Sequence, residues 1–424
     1  MNHKQTPIRF QKLYTRSNYR IVGRSKHSAL KPCHWMVQKL ISGTKNCYKG
    51  YFGIKSEKCL QCTPTLPFCT HGCVFCWREL EEGNLGARFT VEPDDPGYLV
   101  DEFIRNQVNL VQHHFPMEHS LKGLEIMEEA IEVGLKHDGI INVGEFKRSH
   151  GHSWKKIERS MVLLRDLGIV DTRDHETYVL TPKNKSVEDP RIILSTCDVS
   201  EGKIRQTYKN ALNPSHAAIS LAGEPMLYPK MQGLLGEFKR RSFTTFIVSN
   251  ATLPDAIDSL DTLPTQFYFT LPPPSSKLYK RIHRPVIPDS YNAILETLDM
   301  VESLSCRTCL RITLVKGLNG LTSPSLISGY ANLIKRANPD FVDIKGFAVE
   351  ARALRIKKRL GMGGTGESIG ESSAFAPSFQ DVMDFATQLS TAGNFPIVET
   401  SRKSRNVLLL ANWPRDKSYI IPGT

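Results

Sequence analysis

Three cysteines, Cys69, Cys73 and Cys76, stand at the spacing Cys-x3-Cys-x2-Cys within Leu66-Pro67-Phe68-Cys69-Thr70-His71-Gly72-Cys73-Val74-Phe75-Cys76-Trp77-Arg78. No other feature narrows the fold as far, because the surrounding chain must bring three thiols to one point. Thiolates so spaced can hold three corners of a [4Fe–4S] cluster and leave the fourth iron without a protein ligand. An open iron can hold a small chelating molecule, and a reduced cluster can pass it one electron. Phe75 and Trp77 would shield such a site from water. Zinc is the competing reading, since Cys59-x2-Cys62 and Cys73-x2-Cys76 make two CxxC units. The gap between them is short for a zinc ribbon and Cys69 would go unused, so the spacing favours iron and sulfide.

With 424 residues the chain can bury a large core and form more than one domain. No run approaches the ~18 apolar residues of a membrane span, and the start, MNHKQTPIRF, has no apolar signal core. A soluble cytoplasmic protein is expected. Seven of the ten cysteines fall between residues 33 and 76, beside an oxygen-sensitive motif, which argues for a reducing compartment and against disulfides. The net charge of +12 suits a polyanionic partner. Basic residues concentrate in Arg9, Lys12, Arg16, Arg20, Arg24 and Lys26, in 147–159, and in Arg352-Ala353-Leu354-Arg355-Ile356-Lys357-Lys358-Arg359; a solvated face is the plain alternative for each.

From about residue 215, short apolar runs alternate with amphipathic stretches. Strands are predicted at 217–221, 244–249, 266–270, 309–315, 341–347 and 407–410, with helices at 228–241, 290–304 and 325–337 between them. Such alternation gives a parallel sheet with right-handed crossovers. A strand at about 64–68 would lead into the cysteine loop, making six or seven β/α units: an α/β fold, a complete or partial β/α barrel. Reactive groups of such barrels sit at the C-terminal ends of the strands, where this loop would lie. Residues 1–58 read as an N-terminal cysteine-bearing layer, and 59–116 with 196–424 as the barrel. Residues 117–195 break the rhythm with a helix at 117–135, a turn-rich segment at 144–150, a helix at 153–167 capped by Ser153, and two short strands around Arg173-Asp174-His175. This predicts an inserted winged-helix-like segment whose Lys147, Arg148, Lys155, Lys156 and Arg159 could reach phosphates. A purely structural insert is the equal alternative.

Ser220-Leu221-Ala222-Gly223-Glu224-Pro225 ends the second predicted strand. Gly223 lets backbone approach a ligand, and Glu224-Pro225 would leave edge carbonyls pointing outward, as the α-ammonium of S-adenosylmethionine (SAM) requires. Ser249 and Asn250 end the third strand with a hydroxyl and an amide in reach of a ribose or carboxylate, and 311–319 ends the fifth alike. Each could be an ordinary strand-end turn. With the triplet they point to radical SAM chemistry, in which SAM chelates the open iron, accepts an electron and releases a 5′-deoxyadenosyl radical. Candidate SAM contacts are Phe75, Gly223, Glu224, Pro225, Ser249 and Asn250.

Cys33, Cys47 and Cys59 are too widely spaced for a local metal knuckle, but they could converge in a layer above the barrel mouth and hold a second cluster. Free structural cysteines are the alternative. Cys62 is a spare; Cys197, Cys306 and Cys309 read as core. Lys49 could lose its proton beside a cluster and form a Schiff base with a keto group, although a loop lysine is ordinarily a surface charge.

Together these stretches resemble the archaeal tRNA 4-demethylwyosine synthases, radical SAM enzymes that make the tricyclic wyosine core. The resemblance is carried by Asn46-Cys47-Tyr48-Lys49, Phe52-Gly53-Ile54, Cys59-Leu60-Gln61-Cys62-Thr63-Pro64, 66–78, Glu92-Pro93-Asp94-Asp95-Pro96, 216–229, 243–250, 311–317, 336–342 and 404–409. It covers the chain almost end to end apart from the insert. It implies a tRNA substrate with 1-methylguanosine beside the anticodon, and pyruvate as donor of two carbons. It also implies that Cys69, Cys73 and Cys76 hold the SAM cluster and that Cys33, Cys47 and Cys59 hold a second [4Fe–4S] cluster. The radical would take hydrogen from the N-methyl group, and the carbon radical would attack pyruvate held by Lys49 or by the second cluster. The base would have to flip toward the barrel mouth, with Lys155, Lys156, Arg352 and Arg355 on phosphates. A monomer is expected. No flavodoxin-like domain is legible, so an external donor such as a flavodoxin or ferredoxin is expected to supply electrons.

Three departures stand out. The fourth strand ends Thr270-Leu271-Pro272-Pro273-Pro274 where relatives carry Ser-x-Asp. Ala353 and Leu354, flanked by Arg352 and Arg355, stand where a Ser-Arg pair is expected. The insert is not part of the usual pattern. Two other functions stay open: a different radical SAM enzyme, modifying tRNA otherwise or activating a protein, and a zinc-stabilised nucleic-acid-binding protein.

Overall fold

The computed structural model describes residues 5–43, 47–79, 83–320, 323–349, 351–362 and 372–424; Asn46 of the Asn-Cys-Tyr-Lys stretch lies outside them. In chain order the strands are β1 (Arg20–Val22), β2 (Ser28–Leu30), β3 (Cys59–Thr63), β4 (Ile140–Asn142), β5 (Val170–Thr172), β6 (Thr177–Leu180), β7 (His216–Ile219), β8 (Thr244–Ser249), β9 (Gln266–Thr270), β10 (Arg307–Leu314), β11 (Phe341–Gly346), β12 (Ile397–Ser401) and β13 (Asn406–Leu410). Ten of them make one sheet in the order β1-β2-β3-β7-β8-β9-β10-β11-β13-β12. Neighbours from β3 to β11 pair parallel, a partial barrel of β/α units. Antiparallel hairpins extend both flanks, β1–β2 beside β3 and β12–β13 beside β11.

Two strands differ from their sequence expectation. The strand entering the cysteine loop is β3 at Cys59–Thr63, not 64–68, where Pro64 and Pro67 interrupt pairing. The 407–410 run is a strand, but it returns antiparallel after the Phe379–Gly393 helix and β12 and adds no further β/α unit.

Side-chain alternation builds a core on each face of the sheet. In β9, Phe267 and Phe269 meet Phe238, Ile294, Tyr330 and Phe385 of the covering helices. Tyr268 faces the concave side with Phe246, Cys309, Phe341 and Leu408, closed by Phe52, Ile54 and Ile421. β3 alternates likewise: Leu60 and Cys62 join the outer core. Cys59 and Cys62, three apart on a strand, therefore leave opposite faces, which removes the geometry of a zinc-binding Cys59-x2-Cys62 unit.

The insert is winged-helix-like. Helices Met117–Lys136, Val143–His150 and Trp154–Asp166 pack with the three-stranded sheet β4-β6-β5. The stretch 144–150, expected to be turn-rich, is helical. Asn142 caps it by accepting from the Glu145 amide at 3.0 Å, and Gly151 ends it in the left-handed conformation. Ser153 occupies the N-cap of the following helix without a side-chain bond. The insert's core of Ile126, Phe146, Met161 and Leu180 is completed from beyond residue 195 by Val199 and Ile204. No described helix is long and apolar enough to cross a membrane.

Candidate active site

The cysteine loop begins where β3 ends and is held by the C-terminal ends of the next two strands. Gly223, after β7, has φ +75° and lies so near the loop that a Cβ would meet Thr65 O at 2.0 Å and Phe68 O at 2.7 Å. The Glu224 amide donates to Phe68 O at 2.9 Å. The Glu224 side chain is buried, and it accepts from Ser249 Oγ and the Asn250 amide, both at 2.7 Å, and from the Met226 amide at 3.1 Å. Burial pushes its pKa up to about 7 against those donors. Asn250 Nδ2 donates to Thr70 Oγ1 at 2.7 Å and lies 3.8 Å from Cys69 Sγ. Pro225 is buried beside Glu224. The predicted SAM contacts Gly223, Glu224, Pro225, Ser249 and Asn250 thus form one network that fixes the loop. Phe75 packs edge-on to His283, ring centroids 5.6 Å apart.

Burial raises the Cys69 thiol to about 11 and the Cys73 thiol well above its ordinary range, and Cys76 acts electrostatically on both. Binding a metal displaces such protons. His283, which the sequence reading missed, lies with Nδ1 3.6 Å from Cys73 Sγ; burial pushes its pKa down to about 3. His71 Nε2 meets the Tyr279 hydroxyl at 2.7 Å.

The cysteines of the second set act electrostatically on one another. Burial first, then Cys59 and Cys47, push Cys33 up to about 12; burial and Cys47 push Cys59 up to about 11 against Lys49. Cys33 caps the His34–Ser42 helix, accepting from the Met36 amide at 3.3 Å, and the Cys47 amide donates to Ser56 Oγ at 2.9 Å.

Lys49 is buried, with Nζ 4.9 Å from the Phe246 ring centre. Burial works against its charge, but Tyr48, Cys59 and Cys47 outweigh burial and raise its pKa, the opposite of what desolvation alone would give. On the same concave face, Arg311 pairs with Asp343 at 2.6 Å and stacks over Tyr48 and Tyr268 at 4.7 and 4.6 Å. A cavity of about 550 Å³ is lined by Cys33, Tyr14, Tyr19, Lys31, Trp77 and Arg352 among others.

Residues 351–359 grip the loop from outside. Arg359 donates to the carbonyls of Val74, Cys76 and Arg78 at 3.3, 2.5 and 3.1 Å. Arg352 and Arg355, expected on phosphates, pair with buried Glu79 at 2.6 and 2.7 Å, while Ala353 enters the apolar cluster around Val74. Lys155 and Lys156 are exposed on the insert, with Lys147, Arg148 and Arg159. Nothing in the motif pattern marks Glu79, His283 or Arg359; their partners lie more than two hundred residues away.

A partial β/α barrel with three cysteines on the loop after its first parallel strand defines a radical SAM enzyme. A tRNA 4-demethylwyosine synthase of Pyrococcus horikoshii is 32% identical over 409 residues, covering 95% of this chain and 89% of its own. The Methanocaldococcus jannaschii synthase is 27% identical over 405 residues, covering 95% and 96%. A rice synthase is 28% identical over 332 residues, 78% of this chain and 37% of its own. The fold is shared by a TYW1 structure with a lysine–pyruvate adduct bound (TM-score 0.62, 23% identity, 98% of this chain and 100% of the other). It is shared as well by a crystal structure of archaeal TYW1 (0.58, 21%, 98% and 100%). No protein-family model matches the chain. The chain belongs to the S-adenosyl-L-methionine-dependent tRNA 4-demethylwyosine synthase family.

Proposed function

We propose that this chain condenses N1-methylguanosine beside the anticodon of a tRNA with pyruvate, forming the imidazopurine of 4-demethylwyosine. The observation that carries this reading is buried Lys49, on which Cys59 and Cys47 act, with Cys33 acted on by the same two thiols, in addition to the triplet that any radical SAM enzyme needs. Cys69, Cys73 and Cys76 would hold the SAM cluster and the other three a second cluster. Six free thiols, Cys59 buried and the others partly exposed, supply three ligands for each cluster. When bound, the SAM cluster supplies the electron that cleaves SAM.

Lys49 Nζ, after giving up its ammonium proton to solvent entering with substrate, would attack the keto carbon of pyruvate and, with loss of the carbonyl oxygen as water, form the Schiff base; Arg311 offers a guanidinium to the carboxylate on the same face. The adduct in the TYW1 structure that shares this fold supports that role. Tyr14, Tyr19 and Trp77 give the cavity aromatic walls suited to a flipped guanine. Lys147, Arg148, Lys155, Lys156 and Arg159, exposed on the insert beside exposed Trp154, would meet tRNA phosphates. Electrons would come from an external flavodoxin or ferredoxin, and the protein would work in the cytoplasm as a monomer.

The test is anaerobic turnover with SAM, a reductant, pyruvate labelled at carbons 2 and 3, and tRNA carrying 1-methylguanosine. Nucleoside mass spectrometry should find 4-demethylwyosine holding both labelled carbons. Cleavage of SAM with no pyruvate carbon in the nucleoside would sink the reading in favour of another radical reaction.

A further inference from the structure

We propose that Arg78 supplies the fixed positive charge of the SAM-cluster site and stabilises the reduced, more negative form of the group held by Cys69, Cys73 and Cys76. This rests on the reading that the triplet holds an iron–sulfur cluster. Arg78 is 1% exposed, and its Nε, Nη1 and Nη2 have no hydrogen-bond partner among the described residues. A guanidinium carries five N–H donors, and burying them without an acceptor is rare and costly. The groups that act on it are Tyr14, Cys69, Cys76 and Tyr19. The neighbouring carboxylate, Glu79, is committed to Arg352 and Arg355. The Tyr14 hydroxyl donates to Gly83 O. Arg359 pins the carbonyls of Cys76 and Arg78, so the backbone is held on both sides of Trp77.

An anion at the triplet would therefore complete Arg78, which follows Cys76 by two residues and is acted on by Cys69 and Cys76. Glu224, whose carboxyl also acts on Cys69, is held by Ser249 Oγ and the amides of Asn250 and Met226; Asn250 Nδ2 lies 3.8 Å from Cys69 Sγ and His283 Nδ1 3.6 Å from Cys73 Sγ, so Arg78 is the permanent cation among these neighbours. When one electron arrives from a low-potential donor protein, no proton need accompany it, because Arg78 already carries the compensating charge. Charge and hydrogen bonding around the sulfurs set the potential of such a site.

The test is a potentiometric titration of the anaerobically reconstituted full chain, followed by electron paramagnetic resonance on the signal that shifts when SAM is added. Wild type, Arg78→Met and Arg78→Lys are compared, with iron counted in each. Arg78→Met should keep its iron yet disfavour reduction about tenfold, a fall of about 60 mV for one electron, and Arg78→Lys should recover most of it. A full iron count with an unmoved midpoint overturns the assignment alone, whereas wild type that takes up zinc and no iron overturns the cluster reading with it. Should Arg78→Met lose iron, wild type labelled with 15N-guanidinium arginine decides. A 15N coupling to the reduced cluster that vanishes in Arg78→Lys upholds the assignment, and no coupling overturns it.

Discussion

Gly223 joins the end of β7 to the cysteine loop, and the contact leaves no room for a side chain. An alanine there would place a methyl 2.0 Å from Thr65 O at a φ of +75°. Gly223→Ala should cost about 3 kcal/mol or more, since backbone strain and a backbone clash add, and chemical denaturation would measure it. His216 gives a pH dependence. It is buried, with Nδ1 2.7 Å from Thr244 Oγ1, and burial pushes its pKa down to about 4. Because the folded value is the lower one, the neutral ring favours folding above an ordinary histidine pKa of about 6.5. That contribution, about 3 kcal/mol, is lost as pH falls toward 4. Urea midpoints between pH 7 and 5 should drop in wild type and less in His216→Gln. At this scale the sequence marked Gly223 as a place of close approach but not its partner, which is the loop itself. Arg78 was visible as a letter of the motif; its lack of a partner is a property of the folded interior alone.

The 351–359 segment and the insert carry the predictions for elements. Arg359 bonds three carbonyls of the cysteine loop, so Arg359→Ala should destabilise by about 3 kcal/mol through charged hydrogen bonds lost. It should also speed iron loss to a chelator, with Arg359→Lys recovering part. Replacing Lys155, Lys156 and Arg159 together by glutamine should weaken tRNA binding and reduce the salt slope by about three, about one per phosphate contact. Unchanged binding would make the insert structural. Apolar runs located β7 to β11 because strands covered on both faces are apolar throughout. The direction of β13 was not legible, since an apolar run reads the same either way. The helix at 143–150 was not legible because Gly144 and four closing polar residues outweigh the Asn142 and Glu145 capping signal.

For the whole molecule, the decisive fact is long-range. Cys33, on a helix cap, Cys47, before a tight turn, and Cys59, at the start of β3, come from three separate elements yet influence one another electrostatically, and Cys47 and Cys59 act on Lys49. Their spacing alone permits free thiols equally well, and it is the family resemblance that singles out the set. The central claim is that one chain holds two clusters. Its most direct test is iron and sulfide per chain after anaerobic reconstitution, in wild type and in Cys47→Ala. The account predicts about eight irons falling to about four. About four in both proteins would contradict it.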